Sequence, residues 1–552
     1  MKFSFFSRQE IVERMSEEHY DLLIIGGGIT GVGIALDAVT RGMKVALCEM
    51  QDFAAGTSSR STKLIHGGLR YLKQLEIKMV ADVGKERAVV YENAPHVTIP
   101  EWMLLPIYDG GTFGSFSTSI GLRTYDFLAG VKKEERRIML TTEEVLAKEP
   151  LLKRDGLKGG GYYVEYRTDD ARLTIEVAKK AASFGAHLMN YMKVKGFHKE
   201  NGKIVATVAC DLLTGKDHII LADRVVNAAG PWVDQLRKID GSKSNKGLQL
   251  TKGIHIVIDK KKFPLKQAIY FDTEDGRMVF AIPRGKKTYV GTTDTFFESD
   301  PLTPFASEED CNYLIKAIRF MFPSLQLYIE DIESSWAGVR PLIYEEGKDP
   351  SEISRKDEIW VSTSGLISIA GGKLTGYRKM AETVVDLIVK MYSEDNVKLF
   401  GECKTKKLRL SGGDLENNGL MKSFVQENKA KGVELGLTDE ESEELCRLYG
   451  SNVHHIYAII ENFSADKDTY QLSLEVLGKL RYAMEEEMTI TPVDFFTRRT
   501  GATLFNIDWV YEWKDGVISY MQDAFKWNDE QREQYTNDLE QELSVASLTY
   551  EG

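Results

Sequence analysis

Cysteine is scarce in this chain: its 552 residues include five, at Cys48, Cys210, Cys311, Cys403 and Cys446. Their number is odd and no two are spaced as CxxC, which argues against a disulfide framework and against a structural zinc site. The nine histidines form no HExxH pattern. The sequence therefore predicts no metal site and favours a reducing compartment.

Long apolar segments are also missing. We find no uninterrupted apolar run of about 18 residues, so no transmembrane helix is expected. The N-terminal stretch MKFSFFSRQEIVERM lacks the apolar core and the cleavage site of a secretory signal. The formal net charge is −12, which argues against nucleic acid as a partner. These absences predict a cytoplasmic protein, and the chain length predicts about two to four domains.

A glycine motif follows the first apolar run of the chain. Residues 20–25, YDLLII, predict a buried parallel strand, and Gly26, Gly28 and Gly31 then supply G-x-G-x-x-G. Such glycines permit a tight turn, a close approach of the backbone to a pyrophosphate, and close packing of the next helix. The motif predicts dinucleotide binding. The alternative, a glycine-rich turn without a ligand, lacks the strand–helix context.

An acidic residue strengthens this interpretation. A second strand is predicted over residues 44–48, and Glu49 follows it at about 20 residues from the glycines, where a carboxylate accepts the hydroxyls of an adenosine ribose. Two distant segments, 223–236 and 360–388, again run from a strand through glycine into a helix. An extended flavin cofactor is contacted by such separate segments, so FAD is favoured over NAD.

Residues 57–72, TSSRSTKLIHGGLRYL, hold many hydrogen-bond donors and no carboxylate. Donors without carboxylates suit a site that binds anions. The alternative is a polar surface loop.

Taken together, these segments resemble the FAD-dependent glycerol-3-phosphate dehydrogenases. This family belongs to the flavoprotein superfamily that includes D-amino-acid and glycine oxidases. The stretches that carry the resemblance are IIGGGITGVGIALDA, EMQDFAAGTSSRSTKLIHGGLRYL, TDDARLTIEVAKKA, NAAGPWVDQL, SWAGVRPL and GGKLTGYRKMAE. The resemblance implies an α/β fold in which a Rossmann-like FAD-binding domain is interleaved with an antiparallel-sheet substrate or cap domain, followed by an α-helical C-terminal domain.

The resemblance also implies a set of residues around non-covalently bound FAD. These cofactor contacts are Gly26, Gly27, Gly28, Ile29, Thr30, Gly31, Glu49, Met50, Thr57, Ser58, Ser59, Ser61, Lys63, His66, Gly67, Gly68, Ala229, Gly230, Trp232, Gly372, Lys373, Leu374 and Thr375.

The implied substrate is sn-glycerol 3-phosphate, oxidised at C2 to dihydroxyacetone phosphate. Its phosphate needs cations, and arginine offers a rigid bidentate fork. The implied substrate contacts are Arg70, Tyr71, Arg340, Arg355, Lys373 and Thr375. For Arg355, which lies in a charged stretch, a solvated surface arginine is the alternative.

Hydride transfer to the flavin also requires removal of the hydroxyl proton. We predict His255, in the β-branched stretch TKGIHIVI, as the base, and Arg340 as the cation that stabilises the forming alkoxide. Lys373 completes the expected catalytic residues. A histidine that is hydrogen-bonded within a sheet is the alternative for His255.

The expected domains are discontinuous in sequence. A helical arm covers 1–19, the FAD-binding domain 20–80, 150–235 and 355–395, the cap domain 81–149 and 236–354, and the C-terminal helices 400–552. The segments HIIL at 218–221, GIHIVI at 253–258, MVFAIP at 278–283 and KTYVGTTDT at 287–295 predict an antiparallel sheet over the flavin.

Both ends of the chain carry helix-start signals. Thr438 and Glu441 predict a capping box, and so do Ser7 and Glu10. The N-terminal arm, with Phe3, Phe5 and Phe6, either contacts a membrane surface peripherally or docks on its own domain.

The family resemblance implies a membrane quinone as electron acceptor. Three alternatives share parts of the pattern: a glycerol-3-phosphate oxidase that uses O2 and releases H2O2, an amine or amino-acid oxidase, and a non-enzymatic flavin-binding protein. The absence of an unexplained insertion favours the dehydrogenase, while the cationic residues disfavour the last two. The oligomeric state is not encoded in any motif.

Overall fold

The computed structural model describes residues 2–66, 77–112, 136–242, 246–344, 357–395, 398–415 and 421–550. These ranges contain two sheets and a C-terminal block of helices. The predicted fold class is confirmed.

The strands are β1 His19–Ile25, β2 Val45–Cys48, β3 Leu64–Ile65, β4 Thr98–Tyr108, β5 Ile138–Leu140, β6 Leu157–Thr168, β7 His187–Met189, β8 Met192–Glu200, β9 Lys203–Asp211, β10 Asp217–Asn227, β11 Leu248–Asp259, β12 Ala268–Asp272, β13 Met278–Arg284, β14 Lys287–Gly291, β15 Thr295–Phe296, β16 Ile332–Ile343, β17 Asp357–Val361 and β18 Leu366–Gly371.

The helices are α1 Arg8–Glu17, α2 Ile29–Thr40, α3 Ile77–Asn93, α4 Thr142–Lys148, α5 Asp170–Ser183, α6 Val233–Ile239, α7 Glu308–Met321, α8 Tyr377–Glu394, α9 Met421–Glu434, α10 Asp439–Tyr449, α11 Val453–Phe463, α12 Asp466–Tyr470, α13 Leu474–Glu486, α14 Ala502–Phe505, α15 Ile507–Phe525 and α16 Asp529–Ala546, with a π-helix over Asp494–Arg499.

The first sheet carries the glycine motif. Its strand order is β17-β18-β10-β1-β2-β7, and β1 pairs in parallel with β10 and with β2. The apolar side chains of β1 are buried, and the nearly all-buried helix α2 packs between α8 and α5. This layered arrangement brings the carboxyl ends of the parallel strands to one edge, where ligands bind in such sheets.

The second sheet is mostly antiparallel and has the order β15-β11-β14-β13-β12-β4-β6-β3, with β16 beside β11. Its strands β11 to β14 share a core with α7. Three of the four segments predicted for this sheet lie in β11, β13 and β14.

The fourth predicted segment, HIIL at 218–221, belongs to the first sheet instead. It lies in β10, which pairs antiparallel with β9 and then in parallel with β1. Conversely β6, inside the 150–235 range expected for the cofactor domain, pairs with β4 in the second sheet. A short apolar run predicts a strand but not its neighbour, because pairing depends on distant segments.

The C-terminal helices bury two apolar clusters of their own. Helix α10 begins with the predicted capping box, in which Thr438 and Glu441 exchange hydrogen bonds. The last residue of α16 contacts the second sheet, where the Ser335 hydroxyl donates to the Ala546 carbonyl.

The N-terminal arm docks on the protein. Helix α1 buries Ile11, Val12 and Met15 and packs on β7 and β10. The predicted capping box at Ser7 is wrong: Ser7 makes no side-chain cap, and Ser4 caps the preceding turn instead. Within the described ranges, no helix combines the length and the apolar character needed to cross a bilayer.

Candidate active site

A cavity of about 520 Å³ lies between the two sheets. On one side it is lined by the segments that follow β1, β2, β10 and β18, at the carboxyl ends of these strands. On the other side it is lined by β6, β12, β13 and β16 of the second sheet. The volume is typical of small-molecule and cofactor sites.

The glycines of the motif shape the first wall. Gly26 has a φ of 116°, and a Cβ there would lie 2.5 Å from the Ala228 carbonyl oxygen. A Cβ on Gly31 would lie 1.9 Å from the Gly26 oxygen, so only glycine lets α2 approach β1 this closely. Gly28 begins α2 without a side-chain cap and lines the cavity. The N–H groups and the dipole at this helix start suit a pyrophosphate, so the residues present fit FAD.

Glu49 lies at the far end of this wall. Its carboxylate accepts hydrogen bonds from Gly27 N at 2.5 Å and from Gln51 N at 2.8 Å. Burial raises the pKa of Glu49, and these two N–H groups oppose the rise. Because Glu49, Met50 and Gln51 line the cavity together, the carboxylate can accept the ribose hydroxyls of a dinucleotide.

The opposite wall depends on the alternation of side chains along β16. Trp336, Gly338 and Arg340 share one face of this strand. Trp336 Nε1 donates to the Ser61 carbonyl, and a Cβ on Gly338 would lie 2.3 Å from the Arg60 carbonyl oxygen. This face therefore packs on the donor-rich segment, and Arg340 continues it into the cavity.

Arg340 is held in a defined orientation. Its guanidinium donates to the Asp294 carboxylate at 3.0 Å and to the Thr292 hydroxyl at 2.8 Å. Gly253 lies on β11, the strand that pairs with β16, and the Arg340 guanidinium lies over it. A Cβ at Gly253 would be 2.3 Å from Arg340 Nη2. Gly253 thus provides the space that the guanidinium occupies.

Lys373, Thr375 and His66 meet on the third side of the cavity. Lys373 precedes the short helix Leu374–Gly376, which leads into α8. The Thr375 hydroxyl accepts from His66 N at 3.0 Å and donates to His66 O at 3.1 Å. The His66 ring meets Phe280 edge-on, with 5.8 Å between ring centroids. These bonds tie the end of the donor-rich segment to the start of α8.

Most of the predicted site residues that the structure describes lie at this cavity. Those that line it are Gly26, Gly28, Ile29, Thr30, Glu49, Met50, Thr57, Ser58, Ser61, His66, Ala229, Gly230, Trp232, Arg340, Gly372, Lys373, Leu374 and Thr375. The predicted residues Gly67, Gly68, Arg70, Tyr71 and Arg355 lie outside the described ranges.

Four predicted cofactor residues do not line the cavity. The Lys63 ammonium is buried against the Asp170 carboxylate at 2.6 Å and the Ser59 carbonyl at 2.9 Å, so it does not face the cofactor. Ser59 is buried with it. Gly27 and Gly31 act in packing, because one faces Glu49 and the other faces Gly26. An unpaired ammonium would be costly in this interior, which explains why Lys63 turns to Asp170.

His255 does not line the cavity either. Its ring is 1% exposed and stacks on Trp336 with 4.6 Å between centroids. Its Nε2 lies 3.0 Å from the hydroxyl of Thr62, which does line the cavity. Burial lowers the pKa of His255 well below its ordinary value, and Arg340 and Lys63 lower it further. The predicted base is thus separated from the cavity by Thr62.

The sequence reasoning missed Arg60, Thr62, Gly253 and Asp294. Arg60 and Thr62 lie in the donor-rich segment, so its composition could have indicated them. Gly253 and Asp294 became relevant only through the pairing of β11 with β16 and through the hydrogen bond to Arg340.

Comparison with known proteins identifies the family. Residues 21–378 match the model of the FAD dependent oxidoreductase family, and residues 403–532 match the C-terminal domain of alpha-glycerophosphate oxidase. The chain is 59% identical to the aerobic glycerol-3-phosphate dehydrogenase of Bacillus subtilis (strain 168), over 100% of this chain and 99% of that protein. It belongs to this family of FAD-dependent dehydrogenases.

Two further glycerol-3-phosphate dehydrogenases are similar to this chain over nearly its whole length, and a glycerophosphate oxidase shares its fold. The aerobic glycerol-3-phosphate dehydrogenase of Staphylococcus aureus (strain USA300) is 56% identical over 99% of this chain and 98% of that one. The solved glycerol-3-phosphate dehydrogenase of Bacillus halodurans, which is complexed with FAD, is 49% identical, with a TM-score of 0.86 over 99% of this chain and 98% of that chain. The FAD-bound L-alpha-glycerophosphate oxidase of Mycoplasma pneumoniae shares the fold at 19% identity, with a TM-score of 0.56 over 71% and 98% of the two chains.

Proposed function

We propose that this protein oxidises sn-glycerol 3-phosphate to dihydroxyacetone phosphate and passes the electrons through non-covalently bound FAD to a membrane quinone. The observation that carries the proposal is the shared cavity, in which the dinucleotide-binding start of α2 faces Arg340 and Lys373. The full-length identity of 59% to an aerobic glycerol-3-phosphate dehydrogenase supports the choice of substrate.

The substrate phosphate is assigned to the cationic side of the cavity. Lys373 is a compact point charge at the start of a helical segment, and the Thr375 hydroxyl lies two residues further on. Arg70, Tyr71 and Arg355 remain part of this assignment as predictions from the sequence. A phosphate held here would direct the glycerol carbons along the wall formed by His66 and Arg340.

When bound, FAD supplies the hydride acceptor for the C2 hydrogen. The segments after β1, β2, β10 and β18 would hold it through backbone N–H groups and through the hydroxyls of Thr57, Ser58 and Ser61. The Arg340 guanidinium would stabilise negative charge on the C2 oxygen, since Asp294 and Thr292 keep it oriented before substrate arrives.

The proton of the C2 hydroxyl needs an acceptor at the cavity wall. We assign this role to His66, because its ring lines the cavity and its backbone is anchored to Thr375. His255 receives a positioning role: it orients the Thr62 hydroxyl from behind the wall. His66→Asn should therefore lower kcat and remove the acidic limb of the pH profile of kcat/KM. His255→Asn should lower kcat less and leave that limb in place.

A second candidate is a glycerol-3-phosphate oxidase that reduces O2 to H2O2. The observation that favours it is the match of residues 403–532 to a domain described for alpha-glycerophosphate oxidase. We prefer the quinone acceptor because the dehydrogenases are similar over the whole chain, whereas the solved oxidase is 19% identical over 71% of it.

The decisive experiment is anaerobic mixing of the FAD-loaded protein with sn-glycerol 3-phosphate while the visible absorbance of oxidised flavin is followed. Rapid bleaching is expected. Recolouring should then be fast with a soluble quinone and slow with air, whereas fast recolouring in air with H2O2 release would establish the oxidase.

Glycerol and glycine serve as controls for this experiment. Neither should bleach the flavin, since one lacks the phosphate and the other is an amino acid. If intact bound FAD bleaches with glycine or another amine but not with sn-glycerol 3-phosphate, the substrate assignment is wrong.

A further inference from the structure

The buried His255 ring and the Thr62 hydroxyl form a fixed pair at the cavity wall. The ring is held on two sides: it stacks on Trp336, and a Cβ on Gly291 of β14 would lie 2.1 Å from its Cδ2 atom. Its Nε2 atom lies 3.0 Å from the Thr62 hydroxyl oxygen. Its Nδ1 atom is buried and has no hydrogen-bond partner among the described residues.

Thr62 is held in place as well. Lys63, the next residue, has a left-handed backbone with a φ of 57° and turns its side chain into the interior. Non-glycine residues keep this conformation only where surrounding contacts enforce it. Here the Tyr289 hydroxyl donates to the Thr62 carbonyl at 3.2 Å, and Trp336 donates to the carbonyl of Ser61. The turn presents the Thr62 side chain to the cavity.

These contacts decide which nitrogen of His255 carries the proton. Burial lowers the pKa of His255 well below its ordinary value, and Arg340 and Lys63 lower it further, so the ring is neutral. A neutral imidazole has a single N–H group. On Nδ1 this group would be buried without an acceptor, which is rare and costly in protein interiors. On Nε2 it donates to the Thr62 hydroxyl oxygen, so the Nε2–H form is favoured.

The Nε2–H form leaves the Thr62 hydroxyl as a donor. Its oxygen accepts from His255, so its own proton points away from the histidine. Within the described ranges the Thr62 side chain makes no other hydrogen bond, and it lines the cavity. The hydroxyl can therefore donate to a ligand in the cavity.

Thr62 and Arg340 lie over the same face of β11. His255 contacts Thr62, and Gly253 lies under the Arg340 guanidinium. These two residues of β11 are two positions apart, so they share one face of the strand and lie about 7 Å from each other. The Thr62 hydroxyl is thus a neighbour of the cation assigned to the C2 oxygen, at the reacting end of the cavity.

We propose that the Thr62 hydroxyl donates a hydrogen bond to an acceptor at the reacting centre, and that His255 fixes the direction of this bond. Two sources offer an acceptor that gains negative charge during the reaction: the C2 oxygen of the substrate and the isoalloxazine ring of FAD. The first source rests on the proposed function, whereas the second rests only on the cofactor of the family.

The test compares full-length holoenzymes that carry Thr62→Val, which removes the donor, or Thr62→Ser, which keeps it. Two controls lie outside the cavity. Thr207→Val removes a buried hydroxyl that has no partner in the described chain. Arg167→Ala removes a guanidinium of β6 that pairs with Glu101 at 3.2 Å, beside the strand β3 that follows Thr62. The two readouts are the affinity for dihydroxyacetone phosphate and the midpoint potential of the bound flavin.

Loss of a neutral hydrogen bond predicts about a 3-fold to 10-fold change in affinity. If the acceptor is the C2 oxygen, Thr62→Val weakens the binding of dihydroxyacetone phosphate by this factor and leaves the potential unchanged. If the acceptor is on the flavin, Thr62→Val makes the potential more negative and leaves the affinity unchanged. In either case Thr62→Ser should recover most of the loss, and both controls should match the wild type.

Substitutions of His255 test the direction of the bond. His255→Gln still offers an N–H group near the position of Nε2, so it should lose less than His255→Leu in the same readout. Because His255 acts through Thr62, His255→Leu should cause no further loss when Thr62→Val is already present. The ¹⁵N NMR signals of the histidines show the tautomer directly, and His255→Gln identifies the signal.

Two results would overturn the proposal. If Thr62→Val matches the wild type in affinity and in potential, the hydroxyl meets no acceptor. If His255 carries its proton on Nδ1, or if the losses in the double variant add, the histidine does not direct the hydroxyl. Failure of the wild type to bind dihydroxyacetone phosphate would instead overturn the proposed substrate, and the potential would then decide the inference alone.

Discussion

Two groups of arginines contrast within this molecule. Arg498 and Arg499 are 7% and 1% exposed and reach from the C-terminal π-helix to the Asp52 carboxylate at 2.6 and 2.7 Å. Arg60 and Arg340 line the cavity. The Arg60 side chain has no protein acceptor among the described residues, whereas Arg340 is oriented by Asp294. The first group joins two domains, and the second is available to bind anions.

The difference shows how burial and pairing together indicate a role. A buried arginine whose donors are all taken by carboxylates stabilises an interface, and losing one partner leaves an uncompensated charge. An arginine at a cavity wall contributes little to folding but interacts strongly with ligands in a site that excludes water. Substitutions at both kinds of arginine, and at the carboxylates around them, test this distinction.

The largest effect is expected at Asp52. It accepts from both arginines and from Asn190, and although burial raises its pKa, Arg499 and Arg498 outweigh this and lower it. Asp52→Asn should destabilise the protein by about 3–5 kcal/mol because two buried guanidinium groups lose their shared countercharge. Urea unfolding followed by tryptophan fluorescence measures this, and a loss below about 1 kcal/mol would contradict it.

Arg340 should show the reverse pattern. Arg340→Ala should reduce kcat/KM by about 100-fold to 1000-fold, because the charge that develops on the substrate oxygen loses its stabilising donor. The urea midpoint should change little. Steady-state kinetics with Arg167→Ala as control tests the prediction, and an equal loss of activity in the control would refute it.

Gly253 should act through Arg340. The Cβ introduced by Gly253→Ala would lie 2.3 Å from Arg340 Nη2 and 2.4 Å from the Thr292 hydroxyl. Both contacts are with side-chain ends and not with backbone, so folding should persist while the guanidinium and its acceptor move away from their present positions. We expect kcat/KM to fall about 10-fold to 100-fold, as for other small misplacements of catalytic groups. Gly196→Ala, where nothing lies within 4 Å, is the control and should retain full activity.

Asp169 links the cofactor domain to the second sheet through Arg284 at 3.0 Å. Burial raises the pKa of Asp169, but Arg284 and Lys63 outweigh it and bring the pKa from 3.8 to about 2. Because the folded-state pKa is depressed, the stabilisation is present above about pH 4 and lost as pH falls towards 2. It amounts to about 2 kcal/mol.

Urea titrations at several pH values check this prediction. The wild type should lose stability over that interval, and Asp169→Asn should lose about 2 kcal/mol less over the same interval. Identical pH dependence in the two proteins would show that Asp169 is not responsible.

The smallest effect is expected for an exposed pair. Arg14 and Glu10 on α1 form an ion pair at 2.9 Å, with side chains 47% and 56% exposed. Glu10→Gln should cost less than about 0.5 kcal/mol and should matter even less at high salt. If Glu10→Gln lowered the free energy of unfolding as much as Asp52→Asn does, the contribution of an ion pair to stability would depend on pairing alone and not on burial.

Much of the fold follows from local sequence. The run 20–25, the three motif glycines and the helix after them predict β1 and α2 because strand, turn and helix signals act between near neighbours. The same holds for the capping box of α10. The local capping signal at Ser7 gave a wrong prediction, because the preceding residues form a turn that is capped by Ser4.

The site is less legible from sequence. Lys63 and Ser58 both belong to the donor-rich run, yet one binds Asp170 and the other reaches the start of α2. Composition predicts that such a run binds anions, but it does not reveal which side chains are drawn to an interior carboxylate. That choice depends on the position of Asp170, about a hundred residues away in the sequence.

The sequence alone determined the fold class, the dinucleotide motif and the family, since these rest on short patterns with fixed spacing. The tertiary structure decided that His255 lies behind Thr62, that Arg340 occupies the space over Gly253, and that Arg60 has no protein acceptor among the described residues. Each of these depends on the pairing of β11 with β16 or on the docking of the C-terminal helices. Such contacts join residues far apart in the chain, and their geometry is set by packing rather than by local preference.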